Sequence, residues 1–218
     1  MDKQVAEQEE NVCIRVENLL FERWFIPVFE SLNFSVKAGE TLLVRGTNGS
    51  GKTTLLRLLA GILDPTEGRI HLPELPVAWL GHKLGIKDSL SVRENLQFMA
   101  RFHNMQPTDK LINETISQLD LERVAEQDAG SLSAGQRKRC ALGALLFQSE
   151  AIWLLDEPYS NLDDNGMKVV DRLLTLHQQN GGITILATHG ALTPQSLEVR
   201  ELIVLGYQDS ERYRESLA

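Results

Sequence analysis

The 218-residue sequence predicts an α/β fold: a mostly parallel core sheet with helices on both faces, an N-terminal antiparallel β part and an inserted helical subdomain. A glycine-rich loop at residues 46–53 stands between an apolar strand and a helix. Residues 151–155 are continuously apolar, which is typical of a parallel strand covered on both faces, and residues 183–187 predict another core strand. We expect a single domain over residues 1–218, with a helical subdomain at approximately 84–135.

The N-terminal part carries two segments with the period of half-buried strands. Apolar and polar residues alternate over residues 12–16 and again over residues 32–36. Alternation with a period of two places the apolar side chains on one face of a sheet. Both segments precede the glycine-rich loop, so we assign them to the antiparallel β part.

Residues 46–53, the phosphate loop, spell Gly-Thr-Asn-Gly-Ser-Gly-Lys-Thr and match G-x-x-x-x-G-K-[ST] in full. Backbone N–H groups at a helix N-terminus point outward and carry partial positive charge, which suits phosphate oxygens. Lys52 would reach the β- and γ-phosphates of a nucleotide, and the Thr53 hydroxyl would hold Mg²⁺. The residues expected to bind the nucleotide here are Gly46, Thr47, Asn48, Gly49, Ser50, Gly51, Lys52, Thr53 and Thr54.

An aromatic side chain upstream of the phosphate loop could stack on the nucleotide base. Four candidates lie between the two N-terminal strands: Phe21, Trp24, Phe25 and Phe29. Packing within the sheet is the alternative role for each of them. We favour Trp24 as the base contact.

The middle of the chain changes from strand to helix periodicity. A buried strand is predicted at residues 77–80, ending at Gly81-His82. Ser91 begins a capping box and a helix that runs to Phe102, and Thr108 begins a second helix. Ser133 begins a third helix, again with a glutamine three residues later. These helices form the predicted subdomain.

Polar side chains with catalytic potential follow the two apolar runs. Asp156 and Glu157 come directly after one run, and His189 comes shortly after the other. Open α/β sheets bind ligands beyond the carboxyl ends of their strands. We therefore expect these side chains to lie beside the phosphate loop.

Composition excludes several classes of function. A net charge of −8 argues against broad binding to nucleic acid or to an anionic membrane surface. The acidic N-terminus lacks the features of a signal peptide, and no segment approaches the about 20 apolar residues of a membrane span. Cys13 and Cys140 belong to no metal or redox motif, so we expect buried thiols in a reducing cytoplasm.

Five motifs follow one another along the chain. They are Gly46–Thr53, Leu132–Gln136, Asp156-Glu157 after an apolar strand, Ser160–Asp163, and His189 after another strand. In order and spacing they resemble the ATP-binding-cassette (ABC) ATPase family over nearly the whole chain. The resemblance implies a P-loop NTPase fold of ABC type that binds ATP and Mg²⁺ and hydrolyses ATP.

Each motif then has an expected role. Asp156 can coordinate Mg²⁺ opposite Thr53, directly or through water. Glu157 can polarise a water molecule for in-line attack on the γ-phosphate. His189 can contact that phosphate as it departs.

Residues 132–136, the signature segment, present a second anion site at a helix N-terminus. The resemblance implies a head-to-tail dimer with two-fold symmetry, which ATP closes and hydrolysis opens. In that dimer Ser133, Gly135 and Gln136 of one copy serve the γ-phosphate held by the other copy's phosphate loop.

The sequence departs from the family pattern at two places. Ala134 stands where the family usually has glycine, which costs little if the residue is helical. After the strand at 77–80 the family usually has a glutamine that contacts Mg²⁺ and water, whereas this chain has Gly-His-Lys. His82 is the best positional match, and Lys83 is the alternative.

Residues 80–87 and 132–139 further resemble the ATP-binding subunits of haem exporters in cytochrome c biogenesis. This resemblance implies a peripheral ATPase on the cytoplasmic face of the bacterial inner membrane, bound to separate integral membrane subunits. Direct haem binding is not expected, because the chain has no CxxCH motif. The alternatives are an ATPase subunit of a lipid or peptide exporter and a soluble ABC ATPase that acts outside transport.

Overall fold

A computed structural model describes residues 12–149, 152–188, 194 and 197–207. For residues 12 and 13 only the backbone is described. The strands are β1 (Val12–Leu20), β2 (Glu22–Arg23), β3 (Ile26–Pro27), β4 (Leu32–Lys37), β5 (Thr41–Arg45), β6 (Glu67–His71), β7 (Val77–Leu80), β8 (Ile152–Asp156), β9 (Thr184–Ala187) and β10 (Val199–Ile203). The helices are α1 (Lys52–Leu59), α2 (Val92–Phe102), α3 (Asp109–Gln118), α4 (Ala134–Leu146) and α5 (Asp164–Gln179), with 3₁₀ turns at Glu122–Val124 and Ala129–Ser131.

The central sheet has five strands in the order β10-β5-β9-β8-β7, and every neighbouring pair is parallel. Every residue of β8 and β9 is buried, which agrees with the prediction of two core strands. Parallel strands all end at the same edge of a sheet. The loops that follow β5, β7 and β8 therefore meet at that edge, which places the phosphate loop, His82 and Glu157 together.

Both faces of this sheet are covered. One hydrophobic cluster joins one face to α1 and to the antiparallel strands, and the other joins the opposite face to helices α2 to α5. The antiparallel sheet has the order β4-β1-β6, which confirms the predicted N-terminal β part. The α/β fold class predicted from the sequence is confirmed.

Helices α2, α3 and α4 begin where the sequence predicts. Ser91 and Ser133 each form a complete capping box, and the Thr108 side chain accepts a hydrogen bond from the Leu111 N–H. These caps satisfy N–H groups that a helix start otherwise leaves without partners. The helical region shares its apolar cluster with β7 and β8, so it packs directly on the sheet. Its bounds as a separate subdomain stay a prediction.

The burial of one of the two cysteine side chains, that of Cys140, can be described. Cys140 is buried in α4, and burial raises the pKa of its thiol to about 12. This agrees with the prediction of an inert buried thiol, while the Cys13 side chain lies outside the described residues. Among the helices within the described ranges, none combines the length and the apolar character that a membrane span requires.

Helix α2 offers a matched test of the packing between the helical region and the sheet. Leu96 is 0 % exposed, whereas Phe102 on the same helix is 73 % exposed. Leu96→Ala should lower the free energy of unfolding by about 2–5 kcal/mol, because it leaves a cavity in the shared core. Phe102→Ala should change it by less than about 0.5 kcal/mol. Urea denaturation measures both, and equal losses would contradict the packing described.

Candidate active site

The phosphate loop connects β5 to α1 by way of Gly51. Gly51 has φ +101°, and a Cβ there would lie 2.6 Å from the Phe29 ring. Only glycine fits this backbone and this space without strain. The turn leaves α1 beginning at Lys52 with no acidic residue in its first turn. The N–H groups at the start of α1 are therefore available to an anion at the sheet edge.

Lys52 points back into its own loop. Its Nζ donates hydrogen bonds to the carbonyl oxygens of Gly46 at 2.9 Å and Thr47 at 3.0 Å. Burial lowers the pKa of the Lys52 ammonium from its ordinary value, while the negative charges of Glu157 and Asp156 act in the opposite direction. The two carbonyls hold the cation where phosphate oxygens would replace them as acceptors.

Asp156, the last residue of β8, lies close to two polar side chains at the sheet edge. Its Oδ2 accepts a hydrogen bond from the Thr53 hydroxyl at 2.9 Å, and His82 Nε2 lies 3.4 Å from the same oxygen. Thr53 lies at the start of α1, beyond β5, and His82 follows β7, so the parallel sheet brings the three residues together. The replacement of the family's glutamine by His82, with Lys83 as the alternative, stays a prediction.

The oxygens of Thr53 and Asp156 fit a magnesium site. Adjacent ligands of octahedral Mg²⁺, each about 2.1 Å from the ion, lie about 3 Å apart. The separation of 2.9 Å between these oxygens matches that value. Within the described residues no group of three or more His, Cys, Asp and Glu side chains could hold a metal. A magnesium ion here would therefore need phosphate or water oxygens as well, which is its usual mode of binding.

Glu157 is held in an unusual backbone conformation. It is buried and has φ +55°, a left-handed value that is costly for a residue other than glycine. Its N–H donates to the Ala187 carbonyl at 2.9 Å, and its own carbonyl accepts from the Ser160 hydroxyl at 2.9 Å. Strain of this kind persists only where the surroundings fix the backbone, and it concentrates at functional sites.

A cavity of about 340 Å³ brings together most of the predicted phosphate residues and both predicted metal residues, while Gly46, Thr47 and Ser50 are absent from its lining. Its lining residues are Arg23, Val28, Asn48, Gly49, Gly51, Lys52, Thr53, Thr54, His82, Asp156 and Glu157. The sequence analysis did not predict Arg23, which lies in β2, or Val28, which directly follows β3. Trp24 lies in the turn between β2 and β3 and is 87 % exposed. Its contact with the nucleotide base stays a prediction. His189 lies outside the described residues.

The signature segment lies outside the lining of that cavity. Ser133 and Ala134 are exposed at the start of α4, and Ala134 is its first helical residue. A Cβ on Gly135 would lie 2.9 Å from the Asn161 carbonyl oxygen. Glycine at this position therefore allows the segment around Asn161 to approach the start of α4. A second cavity of about 180 Å³ lies between α4 and residues 160–161, and His82 lines both cavities.

Comparisons with known proteins agree with this geometry. The ABC transporter family model matches residues 29–160. The cytochrome c biogenesis ATP-binding export protein CcmA of Xanthomonas axonopodis pv. citri is 39 % identical over 198 residues, covering 87 % of this chain and 92 % of that protein. The CcmA protein of Rhodopseudomonas palustris is 44 % identical over 181 residues, covering 79 % and 90 %.

A solved structure extends the likeness to three dimensions. The cbiO1 protein of Clostridium perfringens, described as part of the ABC transporter complex cbiONQ, superposes with a TM-score of 0.70 at 26 % identity. The match covers 94 % of this chain and 92 % of that one. Together with the phosphate loop, the acid pair and the parallel sheet that joins them, these matches place the chain in the ABC transporter family of ATPases, among the cytochrome c biogenesis ATP-binding export proteins.

Proposed function

We propose that this chain is the ATP-hydrolysing subunit of a bacterial membrane exporter that supplies haem for cytochrome c biogenesis. The observation that carries the proposal is the single cavity containing Lys52, Thr53, Asp156 and Glu157. The identity of about 40 % to CcmA export proteins over most of the chain supports the assignment to this pathway.

Nucleotide binding begins with an exchange at Lys52. The phosphates of ATP enter at the N-terminus of α1 and replace the carbonyls of Gly46 and Thr47 as acceptors for the Lys52 ammonium. The new hydrogen bonds join opposite charges, so they are stronger than the bonds from the same ammonium to neutral carbonyls. The lysine is thus already positioned when the phosphate arrives.

Thr53 and Asp156 would hold the magnesium ion, Asp156 directly or through water. When bound there, Mg²⁺ would supply positive charge that neutralises the β- and γ-phosphate oxygens. His82 faces the same carboxylate and orients it, in the place of the family's glutamine.

Glu157 acts on the attacking water. Its carboxylate lies in the same cavity as Lys52 and Thr53, beyond the end of β8, where it can accept a proton from water in line with the γ-phosphate. The strained backbone fixes the position of the side chain before the substrate binds. The end of β9 lies at the same sheet edge, and His189, which follows β9 in the sequence, is the proposed contact for the departing phosphate.

The signature segment serves a second copy of the chain. Ser133 is exposed, and no signature residue lines the cavity beside the phosphate loop. In a two-fold, head-to-tail dimer Ser133, Gly135 and Gln136 meet the γ-phosphate bound to the other copy. ATP therefore holds the two copies together, and hydrolysis removes the phosphate that joins them.

The remaining partners are integral membrane subunits. We place the chain at the cytoplasmic face of the bacterial inner membrane, where membrane subunits bind haem and this chain supplies the energy of ATP. An exporter for lipid or peptide would use the same catalytic site with different membrane subunits. Co-purification of the membrane subunits and their bound cargo distinguishes these exporters from each other and from a soluble ABC ATPase.

Glu157→Gln tests the assigned base. ATP binding should persist while turnover falls on the order of 10²-fold or more, because the amide cannot take the proton from water. The variant should accumulate as an ATP-bound dimer in gel filtration with ATP and Mg²⁺, with the wild-type chain as control. A monomer under these conditions, also with the membrane subunits present, would contradict the shared site.

The same variant tests the pathway. In cells that lack the chromosomal copy, the wild-type chain should restore c-type cytochromes, and Glu157→Gln should not. Haem staining of membrane proteins measures this outcome. Full restoration by the variant, or no restoration by the wild-type chain at equal expression, would count against the proposed function.

Lys52→Ala tests nucleotide binding. It removes the charge that faces the β- and γ-phosphates, so nucleotide affinity should fall about tenfold or more. Lys110→Ala is a matched control, because the Lys110 side chain is 85 % exposed on α3. Calorimetric titration with ATP measures both. Equal affinity in the two variants would make the phosphate-loop assignment wrong.

His82 variants test the substitution at the glutamine position. His82→Gln should preserve or raise the ATPase rate, because an amide restores the family's hydrogen-bonding group beside Asp156. His82→Ala should lower the rate several-fold, because it removes that contact. ATPase rates are measured with and without the membrane subunits. Equal rates in both variants, with undiminished cytochrome c maturation, would leave His82 without a mechanistic role.

A further inference from the structure

Lys138 is a buried cation to which the proposed mechanism assigns no task. It lies on α4, five residues after Ser133, and is 4 % exposed. Taking an ammonium group out of water costs several kcal/mol unless charge and hydrogen bonds compensate for it. A buried lysine is therefore retained only where neighbouring groups stabilise its charge.

The groups that stabilise Lys138 belong to the catalytic loop. Its Nζ donates to the Ser160 hydroxyl at 3.4 Å. Burial lowers the pKa of the Lys138 ammonium, and the charges of Asp156 and Glu157 oppose that effect. The cation on α4 thus contacts Ser160 and lies in the field of the two carboxylates assigned to magnesium and to the attacking water in the proposed mechanism.

Ser160 extends this contact to the backbone of Glu157. The Ser160 hydroxyl donates to the Glu157 carbonyl at 2.9 Å, and the Ser160 N–H donates to the same oxygen at 3.1 Å. These two bonds close the turn in which Glu157 has its left-handed φ of +55°. A strained residue keeps its conformation only while such contacts persist.

We propose that Lys138 is a positioning residue that connects the signature helix α4 to the backbone of Glu157 through Ser160. The inference rests on the proposed role of Glu157 as the base. A shift of α4 moves the Lys138 ammonium relative to Ser160 and to the two carboxylates. The position of α4 thereby sets the orientation of the base in the same chain.

One helix then has two tasks in the dimer. Its first residues meet the γ-phosphate bound to the other copy, and Lys138 lies about 7 Å further along the helix axis. At that point it holds the catalytic turn of its own copy. Because α4 is one continuous helix, occupation of one nucleotide site changes the geometry of the base in the other site. The two sites are thus coupled without a contact between the two nucleotides.

The direct test is Lys138→Met, which keeps the length of the side chain and removes its charge. We expect kcat to fall about tenfold or more, because the base is displaced, while the KM for ATP changes less than about twofold. The thermal midpoint should stay equal or rise, because a buried cation is replaced by an apolar group. Lys168→Met, at an exposed position of α5, should leave all three quantities unchanged.

Ser160→Ala completes a double-mutant cycle. If Lys138 acts through Ser160, the double variant should have a kcat close to that of the slower single variant, because both changes break one connection. Multiplied losses in the double variant would overturn the inference, as would a kcat of Lys138→Met within about twofold of wild type. A loss of kcat in proportion to a lowered thermal midpoint would also overturn it.

The ATPase rates of Glu157→Gln and Lys138→Met, measured side by side, separate this inference from the function on which it rests. If Glu157→Gln kept its activity, Glu157 would not be the base, and the proposed mechanism would be wrong. An inactive Glu157→Gln beside a fully active Lys138→Met would overturn only the role of Lys138.

Discussion

The hydrogen bond from the Thr53 hydroxyl to Asp156, 2.9 Å long, joins the two halves of the site. Thr53 lies beyond β5 and Asp156 ends β8, and these strands are not neighbours in the sheet, because β9 lies between them. The bond therefore depends on the parallel register of three buried strands. The proposed phosphate and metal sites and the position of Glu157, one residue further along, depend on the same register. A slip of a single residue would turn the side chains at the strand ends away from the cavity.

Helix α4 connects this sheet edge with the rest of the molecule. Its N-terminus is exposed, its apolar side chains belong to the cluster that α2, α3 and α5 share with the sheet, and Lys138 faces the catalytic turn. Helix α4 therefore both packs against the sheet and carries the signature segment at its start. His82 lines both the cavity at the phosphate loop and the cavity beside α4, so it lies between the proposed nucleotide site and the helical region.

The sequence predicts the parts of the site that local chain chemistry determines. The phosphate loop, the capping boxes and the buried strands depend on neighbouring residues, and the structure has them where the patterns place them. Arg23 and Lys138 could not be predicted, because a hairpin and a helix distant in sequence bring them to the site. The choice among the four N-terminal aromatics was open for the same reason: Phe29 is buried against Gly51, whereas Trp24 and Phe25 are exposed in a turn with positive φ. His82 was found only by its position after β7, and its approach to Asp156 follows from the sheet.

In the proposed dimer one nucleotide is shared between the phosphate loop of one copy and the signature segment of another. A crystal structure of the Glu157→Gln variant with ATP and Mg²⁺ would show whether this is so. We expect the Lys52 ammonium to have left the carbonyls of Gly46 and Thr47 for the phosphates, with Mg²⁺ between Thr53 and Asp156. We also expect Ser133 of a second copy within hydrogen-bond distance of the γ-phosphate. A γ-phosphate contacted by a single chain, or a lysine still bound to its own loop, would rule out the shared site.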